Sequence, residues 1–411
     1  MNEAVINNEA ANNPVLILTI ANGAGHIRVA EGIAVAIRAT QPSMPVMVVN
    51  VADYMTRVTR FTHVSTYLWL VKHTPAVWDR IDRYQKTRMH TSPEWYYRRG
   101  CHRLFKVARC VRPRAIVATE VGCCEIAALI KRDLSLHAPL VAVNDDYDAD
   151  RAWVQPEVDL YCFVTNELGE QLIEQGAPRR RVAIWGAPLS AGFEIPRERE
   201  EERAEICRWL ALDPKLPIVL IAGGGEGMGK IEEITARLLH LGQPALQLVV
   251  LTGRNERLKS RCERIAVNGS GARCRVLGWV GPEQMPRLMC AAALMVSKLG
   301  SMFNEAIASA LPIIALEPPP GAERVQYRLL EEWKVGCAVR THDEAVRRVV
   351  HLLSHPHLLE EMRQHSRAHI ALGVSRRIAD WLVAATKEQQ LHSDIERSAT
   401  KHDFASATAN F

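Results

Sequence analysis

Short apolar runs, each closed by a polar residue or glycine and followed by helical spacing, recur along almost the whole chain. Val15–Ala21, Val46–Val51, Ala115–Ala118, Leu140–Val143, Leu160–Val164 and Val182–Trp185 form one series. Ile218–Ala222, Gln247–Thr252, Cys274–Leu277, Leu294–Ser297 and Pro312–Leu316 form a second. Apolar runs without alternation suit strands covered on both faces, and such strands are parallel, joined by helices. Helical segments lie between them: Val29, Ile33, Ala34 and Ile37 recur at helical spacing, and Cys123–Lys131 and Gly169–Gln175 read as helices. The pattern predicts an α/β protein with two parallel sheets. A charge-rich stretch, Arg197–Arg208, followed by Pro214 and Pro217, separates the two series. The expected division is a disordered tail at 1–13, a first domain at 14–195, a linker at 196–216, a second domain with C-terminal helices at 217–385, and a polar tail at 386–411. Open parallel sheets bind ligands beyond the C-terminal ends of their strands, so two of them suggest a cleft.

Composition narrows the partners. The 411 residues carry a net charge of +5, which permits weak attraction to phosphates or anionic lipid but gives no case for nucleic acid. Ten cysteines show no CxxC spacing, and HExxH is absent, so reduced thiols of a cytosolic protein fit best. His351, His355 and His357 flank Ser354 and Pro356, which reads as a helix end rather than a metal site. The Asn-rich stretch Met1–Asn13 has no apolar signal-peptide core, and no run of apolar residues is long enough to span a bilayer. Surface attachment stays open, because Tyr54–Tyr97 interleaves Tyr67, Trp69, Trp78, Tyr84, Trp95, Tyr96 and Tyr97 with Arg57, Arg60, Lys72 and Arg80. Several of these rings can equally pack helices onto the domain.

Three motifs can carry chemistry. In Ile218–Lys230, three glycines leave a strand, so backbone N–H groups can face a phosphate without Cβ obstruction. Gly224–Lys230 has Walker A spacing, but Ile231 stands where the metal-binding hydroxyl would be needed. In Val296–Gln326, Lys298 and Gly300 follow a strand, and Glu305 lies in the next helix, where a carboxylate can accept both hydroxyls of a ribose. Glu323 and Gln326 lie three apart and suit sugar hydroxyls. Near the N-terminus, Gly23-Ala24-Gly25-His26 places a histidine at a strand mouth. Asp145 or Asp146, at another strand end, can act as a base or position a hydroxyl; a hard metal among Asp145, Asp146, Asp148 and Asp150 is the other reading, with Asp148 and Asp150 expected in solvent.

The chain resembles glycosyltransferases that include monogalactosyldiacylglycerol synthases and processive diacylglycerol glucosyltransferases, relatives of the N-acetylglucosaminyltransferase acting on the peptidoglycan lipid intermediate. The resemblance rests on Gly223–Glu233, on Trp153–Asp159 as W-x-x-P-x-V-D, and on Gly186-Ala187-Pro188-Leu189 with Phe193, and extends from about Val15 to Leu382. It implies a GT-B fold: an N-terminal acceptor-binding domain and a C-terminal UDP-sugar-binding domain, both Rossmann-like. It places Gly223, Gly224, Gly225, Glu226 and Gly227 near the diphosphate; Lys298-Leu299-Gly300-Ser301 departs from the family's GGxT, and Lys298 and Gly300 are donor-site candidates from their place after the strand. Glu305 falls on the ribose glutamate, Glu323 on the sugar-contacting glutamate of a PGQE motif, and Gln326 near an asparagine. His26 falls beside the reacting centre, and Asp145 on a candidate for acceptor activation. The implied reaction moves a hexose from a UDP-sugar to diacylglycerol with inversion, without a metal, at an anionic membrane surface on the inner face of the cell membrane. Another lipid or small-molecule acceptor, a UDP-sugar epimerase or hydrolase, and a non-catalytic sugar-nucleotide binder are the alternatives.

Overall fold

Two six-stranded parallel sheets carry the molecule. In the computed structural model, the described residues are 13–20, 25–74, 77, 80–81, 92–225, 227–241, 245–268, 273–316 and 324–408. The first sheet has the order β2-β1-β3-β4-β5-β6, from β1 (Val15–Thr19), β2 (Val46–Asn50), β3 (Ala115–Ala118), β4 (Leu140–Val143), β5 (Leu160–Phe163) and β6 (Val182–Ile184). The second has the order β12-β11-β10-β7-β8-β9, from β7 (Ile218–Ala222), β8 (Gln247–Leu251), β9 (Cys274–Leu277), β10 (Leu294–Ser297), β11 (Ile313–Leu316) and β12 (Gly336–Val339). All the pairings are parallel. The central strands β1, β3, β4, β5, β7, β8, β10 and β11 are buried along their whole length, which is why they read as unbroken apolar runs. The edge strand β12 is the one the sequence pattern missed. Its Gly-Cys-Ala-Val is only half-buried and too short and small to stand out.

Each sheet reverses its strand order at one point. In the first sheet this lies between β1 and β3, and in the second between β7 and β10. Chains leaving neighbouring strands in opposite directions open a crevice there, and ligands of such sheets bind in it. The loops after β1 and β3, and those after β7 and β10, are therefore the places to look for chemistry.

Two segments tie the halves together. The helix Arg199–Leu210 packs against the helix Gln284–Ala291 of the second half. The Arg199 guanidinium donates to the carbonyls of Ala292 and Ala310. The last helix, Val374–Thr408, returns to the first half, where Val374, Ile378, Ala379 and Leu382 are buried with Val29, Ile33 and Ile37. This stretch lies in the expected span of the second domain, yet its apolar face completes the outer layer of the first. Its Ser375 hydroxyl donates to the carbonyl of Leu189.

Candidate active site

The first crevice brings His26, Asp145 and Asp146 together. Helix Gly25–Thr40 begins just beyond β1, so His26 stands at its first turn. The Thr119 hydroxyl, at the end of β3, donates to the His26 carbonyl at 3.4 Å. Beyond β4, the Asn144 side chain accepts from the Asp146 N–H at 2.8 Å and donates to the Asp148 carbonyl at 2.5 Å, folding the loop into a tight turn. His26 Nδ1 then lies 2.9 Å from Asp145 Oδ1, and Nε2 lies 3.7 Å from Asp146 Oδ2. Asp145 is buried, while Asp146 is half-exposed. Burial by itself would lower the imidazole pKa, but the charges of Asp145, Asp146 and Glu120 outweigh it and push it up to about 10.

The same three side chains offer ligand atoms within 4.8 Å of one another, a spacing that can hold a cation. A histidine ligand must be neutral, and the neighbouring carboxylates favour the protonated ring instead. The arrangement fits proton transfer better than metal binding. Asp150, expected in solvent, caps the turn Arg151–Trp153 through the Ala152 N–H instead.

The second crevice is built from backbone. Gly224 and Gly227 have φ of +69° and +64°, a region that favours glycine. The Gly227 and Met228 N–H groups turn inward to the Gly224 and Gly223 carbonyls. Those of Gly224 and Gly225 make no backbone hydrogen bond among the described residues. The loop after β8 braces this turn, because the Arg254 N–H donates to the Gly225 carbonyl at 2.8 Å. Lys230 is largely exposed and lies 4.0 Å from Glu233, so it does not reach over the loop as a Walker lysine does. Lys298 is half-buried, and Gly300 follows it at φ +144°. Glu305 is buried in helix Met302–Ala308, and its Oε2 has no partner among the described residues. Gln326, in helix Arg324–Glu332, is buried, and its Oε1 has no partner among the described residues. Unsatisfied buried acceptors are costly, and a polyhydroxyl ligand would satisfy them. Asn22-Gly23-Ala24, Glu226 and Glu323 lie outside the described residues.

The two crevices face each other. A Cβ on Gly25 would come within 2.8 Å of the Ser301 Cβ, so only glycine allows this approach. The Asn304 side chain donates to the Asp145 carbonyl at 3.1 Å and accepts from the Tyr147 hydroxyl at 2.6 Å. Arg28 Nη1 donates to Glu305 Oε1 at 2.9 Å. A cavity of about 250 Å³ lies beside Asn304, lined among others by Tyr147, Thr165, Asn166, Trp333 and His369. The motif reading missed Arg28, Ser301 and Asn304. Asn304 adjoins Glu305 and Arg28 follows His26 by two, so proximity to the motifs was their only signal.

Two facing α/β domains with site residues at opposed switch points define the GT-B class. Solved structures carry the same fold. MurG of Acinetobacter baumannii aligns with a TM-score of 0.57 at 11% identity, covering 90% of this chain and 99% of that one. Anabaena HepE in complex with UDP-glucose aligns with a TM-score of 0.54 at 11% identity, covering 90% and 99%. The family match is to monogalactosyldiacylglycerol synthase, over residues 26–189. A processive diacylglycerol β-glucosyltransferase of Bacillus cereus (strain B4264) is 25% identical over 403 residues, covering 96% of this chain and 99% of that protein.

Proposed function

We propose that this protein transfers a hexose from a UDP-sugar to the hydroxyl of diacylglycerol or a similar lipid, with inversion at the anomeric carbon. The observation that carries the reading is that the helix bearing His26, itself paired with Asp145, meets the Glu305 helix across one cleft, through Arg28 on Glu305 and Gly25 against Ser301. The first domain would bind the acceptor and the second the donor. Glu305 would accept the ribose hydroxyls, while Gln326, together with Lys298 and Glu323, would meet the rest of the donor. His26 Nε2 would take the acceptor proton as the acceptor oxygen bonds to the anomeric carbon. The bond from that carbon to the diphosphate oxygen breaks in the same displacement, and UDP leaves with the electron pair. Asp145 would hold Nδ1–H and stabilise the imidazolium. The Gly224 and Gly225 N–H groups would stabilise the departing diphosphate without a metal.

The test incubates the protein with diacylglycerol in anionic mixed micelles and UDP-glucose, UDP-galactose or UDP-N-acetylglucosamine in turn. Mass spectrometry should find a hexosyl lipid from one donor. UDP release or sugar isomerisation without any acceptor would instead mark a hydrolase or an epimerase.

No helix among the described residues is long and apolar enough to cross a membrane. Described residues between 57 and 99 supply a surface alternative; Trp78 and Tyr84 lie outside the described residues. Val58, Phe61, Trp69, Val77 and Trp95 are each at least half exposed. Arg57, Arg60 and Arg99 are exposed beside them, with no ion pair among the described residues, whereas Tyr97 is buried. Rings at the interface and cations on anionic headgroups would hold this face on a bilayer. At about 1 kcal/mol per arginine, replacing anionic by zwitterionic vesicles should weaken co-sedimentation by about 10²-fold. Equal binding to both vesicle types would remove this part of the reading.

A further inference from the structure

Arg28 joins the two domains at the carboxylate proposed for the ribose. It stands on helix Gly25–Thr40, two residues beyond His26, and is 14% exposed against 6% for Glu305. Besides Glu305 it donates to the Val280 carbonyl at 3.4 Å. Its guanidinium also lies 5.0 Å from the centroid of the Trp279 ring, and the Arg254 guanidinium lies 4.0 Å from the same centroid. Arg254 is fastened to the glycine loop through its own N–H. One ring thus links a cation of the first domain with a cation of the loop that braces the glycine turn. The Gly224 and Gly225 N–H groups lie in the loop that Arg254 braces.

We propose that Arg28 is a movable donor-site residue: it occupies Glu305 while no nucleoside is bound, and it passes to the donor diphosphate when the ribose takes its place. This rests on the ribose reading of Glu305. A guanidinium suits both stations, because its planar fork pairs with carboxylate and phosphate alike. The exchange keeps every charge partnered. The ribose replaces Arg28 on Glu305, and the diphosphate replaces Glu305 on Arg28. Because Arg28 and His26 share the first turns of one helix, donor binding would also set the position of the proton acceptor. An empty site would remain latched, with His26 held by its two aspartates.

Uridine and UDP separate the two stations, since uridine competes for Glu305 but offers no phosphate. Calorimetric titration of both into the wild type, Arg28→Gln and Glu305→Ala tests the proposal. Arg28→Gln should bind uridine about tenfold tighter than the wild type, because the competitor is gone. Its preference for UDP over uridine should shrink about tenfold or more, because the phosphate partner is gone. Arg28→Lys, which keeps the charge but not the fork, should lie between them on both readings. An unchanged or weaker uridine affinity in Arg28→Gln, or an unchanged UDP preference, overturns the proposal. Failure of the underlying reading looks different. There Glu305→Ala would bind uridine as the wild type does, whatever Arg28 does.

Discussion

Turnover is expected to fall by about 10²–10⁴ in Asp145→Asn and in His26→Ala, the range for loss of a positioned acid–base group. UDP affinity should change little in either. An asparagine at 145 can still hydrogen-bond Nδ1, but it carries no charge to stabilise the imidazolium and can present the ring with its N–H instead of its oxygen. The wild-type pH profile provides a second check. The folded imidazole pKa is about 10 against 6.5 for an unperturbed histidine, so the protonated ring stabilises the fold fully below about pH 6.5. That contribution is lost as pH rises through about 10. The proposed proton transfer would need the opposite form, the neutral ring, which would make up only about one molecule in 10³ at pH 7. The rate per free enzyme and substrate should therefore climb close to tenfold per pH unit from 7 toward 10. Removing the second carboxylate, in Asp146→Asn, should move this rise to lower pH. A flat profile in the wild type, together with an active His26→Ala variant, would place the base elsewhere.

The strand series was legible because its signal is physical and local. A strand covered on both faces must be apolar throughout, and the β-branched runs that recur along the chain carry that mark. The limits of that legibility also have causes. β12 is a half-buried edge strand of small residues, so it lacks the signal. The return of Val374–Leu382 to the first domain is invisible because an amphipathic helix does not state which sheet it will cover. In the site, Glu305 and the glycine loop stood out as motifs at strand ends. The partners across the cleft did not, because Arg28 and Glu305 are 277 positions apart and an isolated arginine in a helix reads as solvated surface. Only the fold brings the Arg28 guanidinium to a buried carboxylate and against Trp279.

Glu305→Ala is the second large effect expected, and it should fall on donor binding rather than turnover at saturation. A buried carboxylate accepting two ribose hydroxyls can gain about 1.5–3 kcal/mol from each bond. The observed energy will be smaller, because in the empty protein the same carboxylate already binds Arg28 at 2.9 Å. On the ribose reading, nucleotide binding would exchange one charge-assisted contact for two, so about one bond would be gained net. That corresponds to a loss of about 10–100-fold in UDP affinity for the alanine variant. Burial also pushes the Glu305 pKa up, while Arg28 pulls it down without cancelling the rise. As pH falls, the carboxyl should protonate earlier than an exposed glutamate, giving up its hold on both Arg28 and the ribose. UDP affinity in the wild type should therefore weaken on the acid side, and in Glu305→Ala that limb should disappear. Calorimetric titration of UDP across pH checks both results together. An acid limb that persists in the alanine variant would assign it to another group, and an unchanged affinity would take the ribose away from Glu305.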